Sequence, residues 1–326
     1  MKITMSKLSF VLSFFVAIHL SAAEPVSEKS ITQGVKKTVK LLAIGNSFSG
    51  NATKYLAKIV NDNVSCELVF AHAMIGGCPL EKHYSLAMKN ENNPDDPQGK
   101  PYSFKGGKAS LKDMLTAEKW QYVTIQQYSA HCFKIGTYRP SAGDLVAYIK
   151  KHAPDAEIVF HQTWAYREDD KSMFKDGFTQ KSMYQELTKA YYTIADETGI
   201  KRVIPVGDAF QLVSESPEWK FETDKNFNYK DPKYPELPDQ AHSLNVGYFW
   251  KGDGETKKLT IDTHHANSMG EYLGGCVWFE FFYGEDARKI KFKPDQMDEK
   301  DAKFLKDITH RVVSEGIKPS AWPLGK

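Results

Sequence analysis

Short apolar runs alternate with longer amphipathic stretches along most of this chain. Val39–Ile44, Glu67–Ala71, Tyr122–Ile125, Ile158–His161 and Arg202–Pro205 have the length and apolar content of strands buried on both faces. Between and after them, Asn51–Asn61, Ser141–Lys151, Ser182–Thr198, Ser268–Phe282 and Asp298–Ser314 read as helices; in the first, Tyr55, Leu56, Ile59 and Val60 share one face. The alternation predicts an α/β fold: a three-layer, doubly wound sandwich around a mainly parallel five-stranded sheet, flavodoxin-like in plan. Two polar stretches, residues 90–107 and 215–258, interrupt the rhythm and read as surface insertions.

The first 23 residues follow a different pattern. Lys2 and Lys7 precede the apolar run Leu8–Leu20, and Ser21-Ala22-Ala23 supplies small residues for cleavage. This predicts a secretory signal, hence an exported protein, periplasmic or extracellular, with no stable membrane insertion once the signal is removed. The bland alternative is an uncleaved anchor, but the run is short for a span. The expected organisation is a signal at 1–23, a linker at 24–37, the α/β domain at 38–290 and a C-terminal extension at 291–326 packing on it.

Charge narrows the field further. The formal net charge of +2 resides in Lys2 and Lys7; without them 41 basic and 41 acidic residues remain. No basic field argues for nucleic acid. Four scattered cysteines, Cys66, Cys78, Cys132 and Cys276, make neither a disulfide scaffold nor zinc spacing. Cys276 reads as a buried thiol, and export would permit a Cys66–Cys78 bridge. No metal or organic cofactor is called for, and the sequence is silent on oligomeric state.

The candidate chemistry lies at the carboxyl ends of the expected strands, where open α/β sheets bind ligands. The first strand ends in Gly45-Asn46-Ser47, the second in Gly76-Gly77-Cys78-Pro79, the third in Gln126-Gln127, the fourth in Gln162-Thr163-Trp164 and the fifth in Gly207-Asp208. Far downstream, Asp262-Thr263-His264-His265 directly precedes a helix. Alone, each block is ordinary turn chemistry. Together they offer what acyl transfer requires: a nucleophile, an imidazole base, an acid to orient it and donors for the oxyanion. Ser47 would attack, His265 would be the base and Asp262 its orienting acid, with His264 the competing base. The oxyanion donors would be the Ser47 and Gly77 N–H groups and an amide from Gln127 or Gln126. Asn46 and Trp164 would line the substrate site.

In these blocks the chain resembles the SGNH/GDSL hydrolase superfamily, and within it an uncharacterised secreted bacterial branch. Gly45-Asn46-Ser47-Phe48-Ser49 stands where the superfamily has its Gly-Asp-Ser block, and Asp262-Thr263-His264-His265 matches its Asp-x-x-His block. Gly76–Glu81 and Gln126–Ser129 occupy the middle blocks, where the usual Gly-x-Asn-Asp is missing. The resemblance implies a cofactor-free serine esterase acting on small-molecule or glycan esters, with O-acetyl groups on carbohydrate foremost. A glycan-binding protein without turnover and a sugar O-acyltransferase are the alternatives on the same fold.

Overall fold

The computed structural model describes residues 36–323. The expected signal at 1–23 and all but the end of the 24–37 linker lie outside them. The first strand, β1 (Lys37–Gly45), is buried almost continuously from Leu41 onward, so both of its faces are covered. Each aliphatic side chain buried there is worth roughly 1.5–3 kcal/mol relative to exposure. After β1 come helices α1 (Ser47–Thr53) and α2 (Leu56–Asp62), strand β2 (Cys66–Met74) and helix α3 (Leu80–Asn92). A small hairpin, β3 (Tyr102–Phe104) with β4 (Gly107–Ala109), leads to α4 (Leu111–Thr116), β5 (Tyr122–Ile125) and α5 (Ser141–His152). The core ends with β6 (Glu157–His161), α6 (Gln180–Thr198), β7 (Val203–Ile204) and α7 (Val206–Ser214).

The five long-range strands form one sheet in the order β2-β1-β5-β6-β7, parallel throughout. With the β3–β4 hairpin set aside, this is the doubly wound order of a flavodoxin-like sheet. Helices α3 to α6 pack together on one side, and α1, α2 and α7 gather around a later helix on the other.

The 215–258 stretch is not wholly irregular. It contributes β8 (Asn245–Lys251), which pairs antiparallel with β9 (Lys258–Ala266). Asp262, Thr263, His264 and His265 therefore sit on a strand rather than in a loop. From β9 the chain enters α8 (Ser268–Tyr283), capped by Asn267, whose side chain accepts from the N–H groups of Met269 and Gly270. The last helix, α9 (Glu299–Val313), packs on α8 and α7, so residues beyond 290 complete the same core.

Helix α8 is buried nearly all round because the sheet lies on one side and α1, α2 and α9 on the others. Its seam with α1 sets the distance between the two candidate site blocks. A Cβ on Gly274 would stand 2.7 Å from the Cα of Ala52, so only glycine allows this approach. Asn51 reinforces the seam, accepting from the Ala266 N–H at 3.3 Å and donating to Glu271 at 3.2 Å. Gly274→Val is expected to destabilise the protein by about 1–3 kcal/mol, the usual cost of overpacking. A thermal melt run beside the wild type checks the effect.

All four cysteines are buried free thiols, so Cys66 and Cys78 are not bridged. No helix among the described residues is long and apolar enough to cross a membrane.

Candidate active site

Ser47 opens α1 immediately after β1. Asn46 caps the helix, its Oδ1 accepting from the Phe48 N–H at 3.1 Å. Capping by Asn46 leaves the Ser47 hydroxyl free to face outward, and the residue is half-buried. The seam between α1 and α8 then brings up the end of β9. His265 Nε2 lies 2.9 Å from Ser47 Oγ, and His265 Nδ1 lies 2.8 Å from Asp262 Oδ2. The other Asp262 oxygen accepts the backbone N–H groups of His264 and His265 at 3.2 and 3.0 Å.

Partial burial works to raise the Asp262 pKa. The bond from the His265 ring, the His265 backbone N–H and the two nearby imidazoles outweigh it, holding the carboxyl well below the usual carboxylate range. An ionised Asp262 fixes the proton of a neutral His265 on Nδ1, which leaves Nε2 to accept from the serine hydroxyl.

His264 takes a different position. Its ring packs beside Tyr166, and its Nδ1 is 3.2 Å from Asp262 Oδ1. Burial, foremost, lowers its pKa. The ring that meets Ser47 is that of His265.

Several buried contacts that sequence reasoning missed hold this strand end in place. Thr263, between the acid and the histidines, accepts the Arg167 N–H on its carbonyl at 2.8 Å and donates its hydroxyl to Asp170. Arg167 is itself locked by a two-pronged pair with Asp169, at 2.7 and 2.8 Å, and by Gln240 and Ser243. Asn245 reaches the His264 carbonyl at 3.4 Å. The arginine sits six residues past the expected strand end at His161, which is the one cue the sequence carried.

The remaining expected site residues have other duties. Trp164 does not line a substrate site. It is fully buried, stacks on Phe48 and Phe210 with centroids 4.4 and 4.5 Å away, and donates to the His264 carbonyl at 2.9 Å. An indole must bury its large ring yet satisfy its N–H, and the back of the β9 turn does both. Asn46 is likewise buried away from any substrate. Besides capping α1, it donates to the Cys78 carbonyl at 3.1 Å and accepts from Gln126 Nε2 at 2.8 Å.

Neither glutamine offers an amide to an oxyanion. Gln126 Nε2 is committed to Asn46 and to the Gln127 carbonyl, while its oxygen accepts from Ser49 Oγ at 2.5 Å. Gln127 points to the other side of the sheet. Its Nε2 donates to the carbonyl and hydroxyl of Thr137, and its oxygen accepts the Leu80 and Tyr128 N–H groups. With both N–H bonds used on each amide, neither has a donor left. His161 is no substitute, since it is fully buried beneath Trp278.

Gly77 does lie at the serine's edge of the sheet. The turn Ile75–Cys78 is joined to β1 by the Ile75 N–H on the Gly45 carbonyl and to Asn46 through the Cys78 carbonyl. Gly77 has φ +60, which glycine adopts without strain, and it is exposed beside Tyr128. Its N–H and that of Ser47, at the first position of α1, have no acceptor among the described residues.

Among the described residues two clusters have metal-ligand composition: Asp262, His264 and His265, and Glu280, Asp286 and His310. In the first, an ion would displace the His265–Asp262 bond. In the second, Glu280 already receives His310 at 2.9 Å and the Ala287 N–H at 2.8 Å. Neither carries a metal assignment.

A family profile, the domain of unknown function DUF4886, matches residues 40–234. The chain belongs to the DUF4886 family. Among solved structures, it is similar to a DUF4886 family protein from Bacteroides uniformis. That protein is 25% identical with a TM-score of 0.65, aligned over 87% of this chain and 98% of its own. It is also similar to a candidate SGNH hydrolase from Slackia heliotrinireducens, 18% identical over 75% and 98% of the two chains with a TM-score of 0.45. A third is a candidate GDSL-like lipase from Parabacteroides merdae, 14% identical over 76% and 97% with a TM-score of 0.41. No functionally curated protein matches the chain. The DUF4886 match ends before β8, so Asp262 and His265 lie outside it while Ser47, Gly77 and both glutamines lie inside.

Proposed function

We propose that this DUF4886 protein is a serine esterase, with Ser47 the nucleophile, His265 the base and Asp262 the residue that orients it. The observation that carries the reading is the unbroken chain of bonds from Ser47 Oγ through His265 to Asp262. As the hydroxyl attacks an ester carbonyl, His265 Nε2 takes its proton. The C–O bond to the alcohol then breaks, and the imidazolium returns the proton to the departing alkoxide. Water repeats the sequence on the acyl-enzyme and releases the acid. The oxyanion would be received by the Ser47 and Gly77 N–H groups, each donor worth on the order of 3 kcal/mol in the transition state.

The substrate class proposed is an ester on a carbohydrate, with the acetyl ester foremost, and the place of action is outside the cytoplasm. Support comes from the signal-like first 23 residues and from the openness of the site, where the His265 ring keeps 33% of its surface exposed. An exposed triad suits a bond carried on a large substrate.

A fluorophosphonate probe should label the protein at Ser47, and the labelling separates an esterase from a binder without turnover. His265→Ala should lower aryl acetate hydrolysis by roughly 10³-fold or more. His264→Ala should leave activity within about tenfold, because its ring bonds only to Asp262 Oδ1, which keeps two backbone donors. Equal losses at the two positions would overturn the assignment of the base.

A further inference from the structure

The hairpin that delivers His265 carries a second feature at its other end. Where β9 begins, a 520 Å³ cleft is lined by Tyr229, Tyr248, Trp250, Lys171, Lys257 and Lys258, with polar surface predominating. Tyr248 and Trp250 stand on one face of β8, opposite Ile261 and Leu259 of β9. Tyr229 packs beside Tyr248 at 5.2 Å, and Tyr234 meets the edge of Trp250 at 5.6 Å. The indole is held in place by its N–H, which donates to the Glu236 carbonyl at 2.9 Å.

The charged residues lining the cleft are all lysines. Of the carboxylates near Tyr229 and Tyr248, Asp169 is already paired with Arg167 and Asp224 accepts backbone N–H groups. Among the described residues no carboxylate pairs with Lys171, Lys257 or Lys258. Lys257 Nζ instead sits 3.5 Å from the centre of the Tyr234 ring. Three ammonium groups around one cleft repel one another, and an anion in the cleft relieves that cost. The chain past residue 23 has no net charge, so this is a local concentration and not one patch of a basic surface.

We infer that this cleft binds a negatively charged sugar of a polysaccharide, its carboxylate or sulfate received by Lys171, Lys257 and Lys258 and its ring lying against Tyr248 and Trp250. Half-exposed aromatic rings offer a sugar an apolar face with polar groups at the rim. A single-stranded nucleic acid also stacks on aromatics, but it asks for a continuous basic track, and three lysines do not make one.

The position ties the cleft to the triad. Lys258 and His265 lie seven residues apart on one strand, about 23 Å at the usual strand rise. Lys171 adjoins Asp170, the acceptor for the Thr263 hydroxyl between Asp262 and His264. The cleft and the triad thus lie toward opposite ends of β9, and a polymer seated in the cleft would reach Ser47 by spanning the length of that strand. The inference deepens the esterase reading and rests on it for the bond that is cut, but binding in the cleft is measured separately.

The test uses Lys257→Glu/Lys258→Glu and, separately, Trp250→Ala, each checked by thermal melting. The wild type should bind polygalacturonate at low salt, with affinity falling steeply as salt rises. Dextran sulfate, run beside it, tells whether carboxylate or sulfate is preferred, and neutral dextran sets the background. The charge reversal should weaken binding at least about tenfold. Both variants should hydrolyse p-nitrophenyl acetate as the wild type does, while KM for acetylated polygalacturonate rises about tenfold with kcat unchanged. Wild-type binding no stronger than to neutral dextran overturns the inference. So does charge-reversed protein that binds like wild type, or tighter binding of oligothymidylate than of either polymer. Absent aryl acetate turnover in the wild type would instead sink the esterase reading, whatever the polymers do.

Discussion

Replacing Ser47 by alanine is expected to lower kcat for aryl acetates by roughly 10³-fold or more, equivalent to about 4 kcal/mol of transition-state stabilisation. The fold should not notice the change. Among the described residues the only hydrogen-bond partner of the Ser47 hydroxyl is His265, and α1 is capped by Asn46, not by the serine. Stability should therefore stay within about 0.5 kcal/mol of wild type. Ser49, two residues on, supplies the contrast. It is fully buried and donates to Gln126, whose own amide holds Asn46. Ser49→Ala leaves a buried acceptor unsatisfied and should cost about 1–3 kcal/mol of stability. Activity should survive in the molecules that remain folded. Melts and aryl acetate kinetics on the two variants form a crossed pair. Near-native turnover by Ser47→Ala would remove the serine from the mechanism.

The sheet and the three residues of the bonded chain were readable because their signals are local. Apolar runs long enough for strands, a serine directly after one of them and a four-residue Asp-x-x-His block need no partner to be seen. What the sequence hid depends on partners. The single helix expected over Asn51–Asn61 is two, broken at Lys54 and Tyr55, although its apolar face is continuous. The β8–β9 hairpin was invisible because a bulge between Asn245 and Gly247 breaks the two-residue period, and Gly247 there has φ +71. Gln126 and Gln127 do stand at the expected strand end, but the acceptors that use up their amides include α1's cap and Thr137. Nothing in the spacing announces them. Trp164 stands at the expected edge, yet its complete burial follows from Phe48 and Phe210, which lie 116 residues before it and 46 after it in the chain. Side-chain identity thus pointed to the candidate residues, and long-range packing decided which neighbours meet them.

The same packing predicts a steep loss of stability in acid. His83 and His161 are fully buried and His72 is partly so, and burial pushes the pKa values of His72, His83 and His161 down to about 4, 3 and 3 respectively. Among the described residues, both ring nitrogens of His161 and the Nε2 atoms of the other two have no hydrogen-bond partner, and no carboxylate there offsets the burial. Each is neutral in the fold and has an unfolded pKa of about 6.5. Below that value the unfolded chain binds more protons than the native one, so stability falls as pH falls. The loss stops only when the folded histidines also protonate, near pH 3 to 4. Each histidine costs about 1.4 kcal/mol per pH unit within this window, so three approach about 4 kcal/mol per unit. By pH 5 the total is about 6 kcal/mol, comparable with the whole stability of an ordinary domain. Unfolding followed by tryptophan fluorescence should therefore centre between about pH 4 and 5. His161→Leu removes one of the three groups at similar volume and should move that midpoint down by about half a pH unit. A protein that stays folded to pH 3, or a variant with the wild-type midpoint, would mean that these imidazoles find partners in solution or that the fold opens enough to hydrate them.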